Sequence, residues 1–65
     1  MSDEETPIEI LIVEDDQFNA RLLSDVCVSA GYVCRVAIDG VEALEAVGER
    51  RPDLVLLDIM IPRLN

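Results

Sequence analysis

Apolar residues in this chain follow two rhythms. Ile8 to Val13 is apolar at five of six positions, and Leu54 to Ile59 is apolar except at Asp58. Runs this short and rich in branched side chains read as strands covered on both faces. Between them, Phe18, Leu22, Val26 and Ala30 recur every four residues, with Leu23 and Cys27 widening the stripe. That spacing predicts a helix with Asp16 as its cap and Gly31 as the left-handed residue that ends it. Tyr32 to Ala37 contains Val33, Cys34 and Val36 but one charge, Arg35, as expected of a strand near a sheet edge. Asp39 and Glu42 have the three-residue separation of a capping box. They open a second helix in which Val41, Leu44 and Val47 are expected to face the core. Arg50 and Arg51 complement the negative end of that helix, and Pro52 stops it.

The order is β, α, β, α, β. Helical crossovers make the strands parallel and their connections right-handed, so the expected fold is α/β with helices on both faces of the sheet. Residues 1–7, with Asp3, Glu4 and Glu5 in a row, lack apolar periodicity and read as a flexible acidic leader.

Composition narrows the picture. Hydrophobic residues make up 51% of 65 positions with almost no aromatics, which suits an aliphatic core and excludes a disordered tail. A chain this short buries only about 60% of its unfolded surface, so a single domain of marginal stability is expected. The net charge of −9 argues against direct contact with nucleic acid or an anionic membrane. Apolar stretches are far too short to span a bilayer, and no signal peptide is evident. The chain reads as cytoplasmic, with Cys27 and Cys34 as buried, reduced thiols rather than a disulfide.

Charge placement carries the candidate chemistry. Glu14, Asp15 and Asp16 follow the first apolar run, and Asp58 follows the third. In a doubly wound sheet, ligands bind at the carboxyl ends of strands where crossovers leave to opposite faces. If the first strand lies between the other two, Asp15 and Asp58 come from adjacent strand ends. Clustered carboxylates repel one another and are costly to desolvate, so they call for a cation. Oxygen ligands of this kind suit Mg²⁺, which commonly also meets a phosphoryl oxygen.

These segments resemble the receiver domains of two-component response regulators. The resemblance rests on Ile12-Val13-Glu14-Asp15-Asp16, Asp39-Gly40-Val41-Glu42-Ala43-Leu44 and Pro52-Asp53-Leu54-Val55-Leu56-Leu57-Asp58-Ile59-Met60-Ile61-Pro62, and covers Ile8 to Asn65. It implies a flavodoxin-like sheet of order 2-1-3-4-5, of which this chain carries strands 2-1-3. It also implies a sensor histidine kinase or phosphotransfer protein as partner and Asp58 as phosphoacceptor. Asp15 would be a direct Mg²⁺ ligand, Glu14 an acidic partner acting through water, and the Met60 main-chain carbonyl a further ligand alongside Asp58. Asp16 is better read as the helix cap. Arg50 and Arg51 read as a solvated helix end, and Arg35 as a surface charge.

The family also places a Ser or Thr at the end of strand four and a Lys at the end of strand five. The sequence contains no Lys, and residues 8–65 read as the amino-terminal half of a receiver, ending before a fourth strand. Whether such a piece performs phosphotransfer is left open. A bare edge on the third strand predicts a homodimer or higher oligomer. The rival reading is a self-associating structural half-domain with no phosphotransfer activity. A nucleotide-binding enzyme fits poorly, because the turn after the first strand is acidic and lacks a Gly-rich loop.

Overall fold

The central strand takes its position from being apolar on both sides. In the computed structural model, which describes residues 7–57, β1 (Glu9–Val13) lies between β2 (Val33–Ala37) and β3 (Leu54–Leu57), all parallel, in the order β2-β1-β3. Helix α1 (Gln17–Ser29) joins β1 to β2, and α2 (Gly40–Glu49) joins β2 to β3. Leu11 and Ile12 are fully buried, and with Ile10, Ala20 and Ala37 they form the core.

Alternation along the strands sorts the two faces. Ile10 pairs with Cys34 and Leu54, and Ile12 with Val36 and Leu56, so these residues share one face. Leu11, Arg35 and Val55 share the other. Ala20 and Ser24 of α1 line a groove together with Val36, which sets α1 over the first face. Arg35 reaches the carbonyls of α2, which sets α2 over the second.

Both helices end as their cap residues dictate. The Asp16 carboxylate accepts from the N–H groups of Phe18 and Asn19 at 2.9 and 3.4 Å, supplying partners that the first turn lacks. At the other end Gly31 has φ +97°, and the N–H groups of Tyr32 and Gly31 donate back to Cys27 and Val28 at 3.0 and 2.9 Å. That pair of bonds is the Schellman closure, which needs a residue comfortable in the left-handed region. Asp39 accepts from Glu42 N–H at 2.8 Å. The reciprocal bond of the box is shifted by one residue, with Glu42 accepting from Ile38 N–H at 3.0 Å.

The helix faces differ from expectation. Phe18 and Val26 are 72% and 67% exposed, and the packed side of α1 is Ala20, Leu23 and Cys27. A strict four-residue repeat drifts around a helix of 3.6 residues per turn, whereas 20, 23 and 27 stay on one side. In α2, Ala43 and Ala46 are half-buried while Val41 and Leu44 are exposed. Small side chains let each helix approach the sheet closely, so the larger apolar residues point elsewhere. Strand β3 departs too: Leu54, Val55 and Leu57 are about half exposed, because neither helix lies over it.

Three arginine readings also need correction. Arg35 is half-buried rather than a surface charge: it donates to the carbonyls of Ala46 at 2.9 Å and Arg50 at 2.5 Å, satisfying the end of α2. Its Nε lies 2.5 Å from Glu9 Oε2, an ion pair rather than an aligned hydrogen bond. Arg50 is not merely solvated, since it grips both oxygens of Glu9 at 3.0 and 2.9 Å in a forked pair. Hydrogen bonds from Arg50 are the main reason that the Glu9 carboxyl sits below its usual range, and the same pairing pushes Arg50 up. Arg51 is exposed, as expected of a helix end. Nearby, Asp53 is bound to β1 twice: its N–H donates to Glu9 O at 2.9 Å, and its Oδ2 accepts from Glu9 N–H at 2.8 Å.

Candidate functional site

The carboxyl end of β1 lies level with Leu57 of β3. Val13, the last residue of β1, pairs with Leu57, the last described residue of β3. Glu14 continues β1 by one step, its N–H donating to Ala37 O at 2.9 Å and tying it to the end of β2. Its side chain is 1% exposed, the only buried charged one among the described residues, and its Oε2 accepts from Asp16 N–H at 3.0 Å. The loop therefore folds back so that the backbone meets the buried carboxylate.

The neighbouring acids divide by burial. Asp15 is exposed at the strand end, and Asp16 is engaged as the cap of α1. This bears out the reading of Asp16 as a cap. At the end of β2, Asp39 and Glu42 are used in the same way by α2. No arginine occurs in the loops 14–16 and 38–40, so every charged side chain of these two loops is acidic. Asp58 and Met60, the other two expected site residues, lie outside the described residues. Among the described residues no group of three or more His, Cys, Asp or Glu side chains stands ready to hold a metal ion. Glu14 and Asp15 supply hard carboxylate oxygens of the sort that suit Mg²⁺, and both sit at the expected strand end.

Reading the sequence missed the Glu9–Arg35–Arg50 cluster at the opposite end. A signal was present, since Glu9 and Arg35 are the lone charges of two neighbouring strands. A single charge on an edge strand, such as Arg35, is normally solvated, which hides the pairing from the sequence.

The family model for the response regulator receiver domain matches residues 10–65. This chain belongs to the receiver family. Similar receivers include the response regulator MprA of Mycobacterium sp. (strain KMS), 44% identical over 59 residues, which cover 91% of this chain and 26% of that protein. The polar-differentiation response regulator DivK of Brucella anthropi is 39% identical over 59 residues, covering 91% of this chain and 48% of DivK. The DNA-binding response regulator MtrA of Mycobacterium tuberculosis is 50% identical over 56 residues, 86% of this chain and 25% of MtrA. The receiver chain thus spans between a quarter and a half of the length of these curated relatives. No solved structure matches it significantly. Three parallel strands ordered 2-1-3 with a helix on each face agree with the flavodoxin-like half-domain expected from the sequence. Among the described residues, no helix is long and apolar enough to cross a membrane.

Proposed function

We propose that residues 8–65 form the amino-terminal half of a phosphoacceptor receiver, in which Asp58 takes a phosphoryl group from a sensor histidine kinase or a phosphotransfer protein. The observation that carries this reading is the register that sets Leu57 beside Val13, the end of β1, with a buried Glu14 and an exposed Asp15 directly beyond Val13. Asp58 follows Leu57 in the chain and would be the nucleophile: one carboxylate oxygen bonds to phosphorus as the bond from phosphorus to the donor breaks, and the donor leaves with the electron pair. Mg²⁺, held by Glu14, Asp15, Asp58 and the Met60 carbonyl, would neutralise negative charge on the attacking and transferred oxygens. Glu14 contributes a fixed negative charge that Asp16 N–H orients, and Asp15 presents its carboxylate to solvent, where a hydrated ion arrives. The Ser or Thr and the Lys of the family site would come from beyond these residues, and with them the capacity to switch.

A protein containing this chain, incubated with Mg²⁺ and acetyl phosphate, is expected to gain one phosphate, and its Asp58→Ala variant none. Equal modification of the two would overturn the assignment.

The second reading is favoured by β3, whose Leu54, Val55 and Leu57 are half exposed and which among the described residues pairs with β1 alone. An open strand edge with apolar faces recruits another strand, so the 65-residue chain itself is proposed to self-associate through β3 as a homodimer or higher oligomer. Light scattering coupled to size exclusion tests this directly, and a folded monomer at micromolar concentration would exclude it.

A further inference from the structure

Cys27 and Cys34 belong to different elements and meet at one interface. Cys27 sits in the last turn of α1, where its carbonyl accepts from Ala30 and Tyr32 N–H groups at 3.1 and 3.0 Å. The Gly31 turn thereby fixes its place. Cys34 lies on the edge strand β2 opposite Ile10, on the sheet face that α1 covers. Both thiols are free and half-buried, Cys27 on the packed side of α1, and the neighbouring Cys27 helps to push the Cys34 thiol up. Two thiols brought to one helix–strand joint from its two sides are candidates to bond to each other, while partial burial leaves them within reach of a small reagent.

We propose that Cys27 and Cys34 form a reversible disulfide that staples the end of α1 to β2, making this chain a thiol redox sensor independently of any phosphotransfer. The oxidant is a low-molecular-weight disulfide. The Cys27 thiolate attacks one sulfur of that disulfide, the reagent's S–S bond breaks, and the first small thiolate leaves and takes up the proton that Cys27 released. Cys34 then attacks the Cys27 sulfur of the mixed disulfide, expelling the second small thiol. Two protein thiols are oxidised and one small disulfide is reduced to two thiols, so the exchange balances. Desolvation, and then the neighbouring Cys27 thiol, push the Cys34 thiol up, which makes it the poorer first attacker, and its own attack in the second step is helped by being intramolecular. The joint has room to respond, because farther along the same α1–β2 interface a groove of about 250 Å³ opens beside Ala20, Ser24 and Val36.

The test compares folded and unfolded chain. The 65-residue chain is equilibrated with reduced and oxidised glutathione in buffer and in concentrated urea, and the ratio of disulfide to dithiol is read by alkylation and intact mass. The fold is expected to favour the Cys27–Cys34 bond at least about tenfold over the urea-unfolded chain, since it holds the sulfurs together. Equal ratios in the two solvents would overturn the proposal. Cys27→Ser and Cys34→Ser variants are each expected to stop at a single mixed disulfide with glutathione. A native chain that also stops there, or that forms only covalent dimers, would overturn it as well.

Discussion

The two ends of the sheet handle charge in opposite ways. At the amino end, Glu9 is gripped by Arg50 through both oxygens and paired with Arg35, while Arg35 also closes the carbonyl end of α2. At the carboxyl end, Glu14 is buried beside an exposed Asp15 and the capping Asp16, and loops 14–16 and 38–40 contain no arginine. Charges at the first end are satisfied by the chain itself and therefore contribute to holding β1, β2 and α2 together. Those at the second, Glu14 and Asp16, accept hydrogen bonds from backbone N–H groups of their own loop and of the first turn of α1. Opposite charges gripping each other across the fold mark structure, whereas a buried carboxylate beside an exposed one at a strand end marks a candidate for binding.

Replacing Glu14 by Gln puts the largest strain on this contrast. The amide oxygen keeps the bond from Asp16 N–H while the charge disappears. Titration calorimetry on the parent receiver is expected to show Mg²⁺ affinity falling roughly 10- to 100-fold with the unfolding midpoint nearly unchanged. A large loss of stability with unaltered affinity would instead put Glu14 with the structural charges. Arg35→Ala reverses the pattern: it takes the guanidinium from the Arg50 carbonyl, leaves the Ala46 carbonyl with Arg50 N–H, and unpairs Glu9 from one cation, and urea unfolding is expected to register a loss of about 1–3 kcal/mol with Mg²⁺ binding intact.

A smaller effect distinguishes residues within the acidic end. Asp16→Ala removes the α1 cap and is expected to cost about 1 kcal/mol by chemical denaturation, again without altering Mg²⁺ affinity. A weakened affinity would turn the cap into a ligand. The smallest effect concerns acid. Because the folded Glu9 carboxyl lies below its ordinary value near 4.5, its contribution to stability is present above that value and fades as pH falls through the lowered one. Glu9→Gln is expected to flatten that part of the stability profile measured by thermal melts from neutral to acid pH. An unchanged profile would mean that the forked pair is too well solvated to matter.

Much of this was legible in the sequence because it was local. Asp16, Gly31 and Asp39 punctuate the chain through bonds to residues a few positions away, and Pro52 does so by lacking an N–H, so the elements and their order emerged from spacing alone. The carboxylate pair Glu14 and Asp15 was legible for a similar reason, being tied to the end of an apolar run. What escaped was non-local. Nothing in the spacing shows that Glu9 meets Arg50 across 41 positions, or that alanines rather than Phe18 and Leu44 choose which side of each helix meets the sheet. Apolar size is a weak guide where close approach is the constraint.

Strand β3 raises a question of alignment that its own side chains cannot answer. All four residues of Leu54–Leu57 are aliphatic, so sliding it by one position against β1 would exchange one set of greasy faces for another with little penalty from burial. Such a slide would carry whatever follows Leu57 about 3.3 Å along the sheet, away from Glu14 and Asp15. The two hydrogen bonds between Asp53 and the Glu9 backbone forbid it. Asp53 thus works as a gauge block, setting at the quiet end of the sheet the distance on which the acidic end depends.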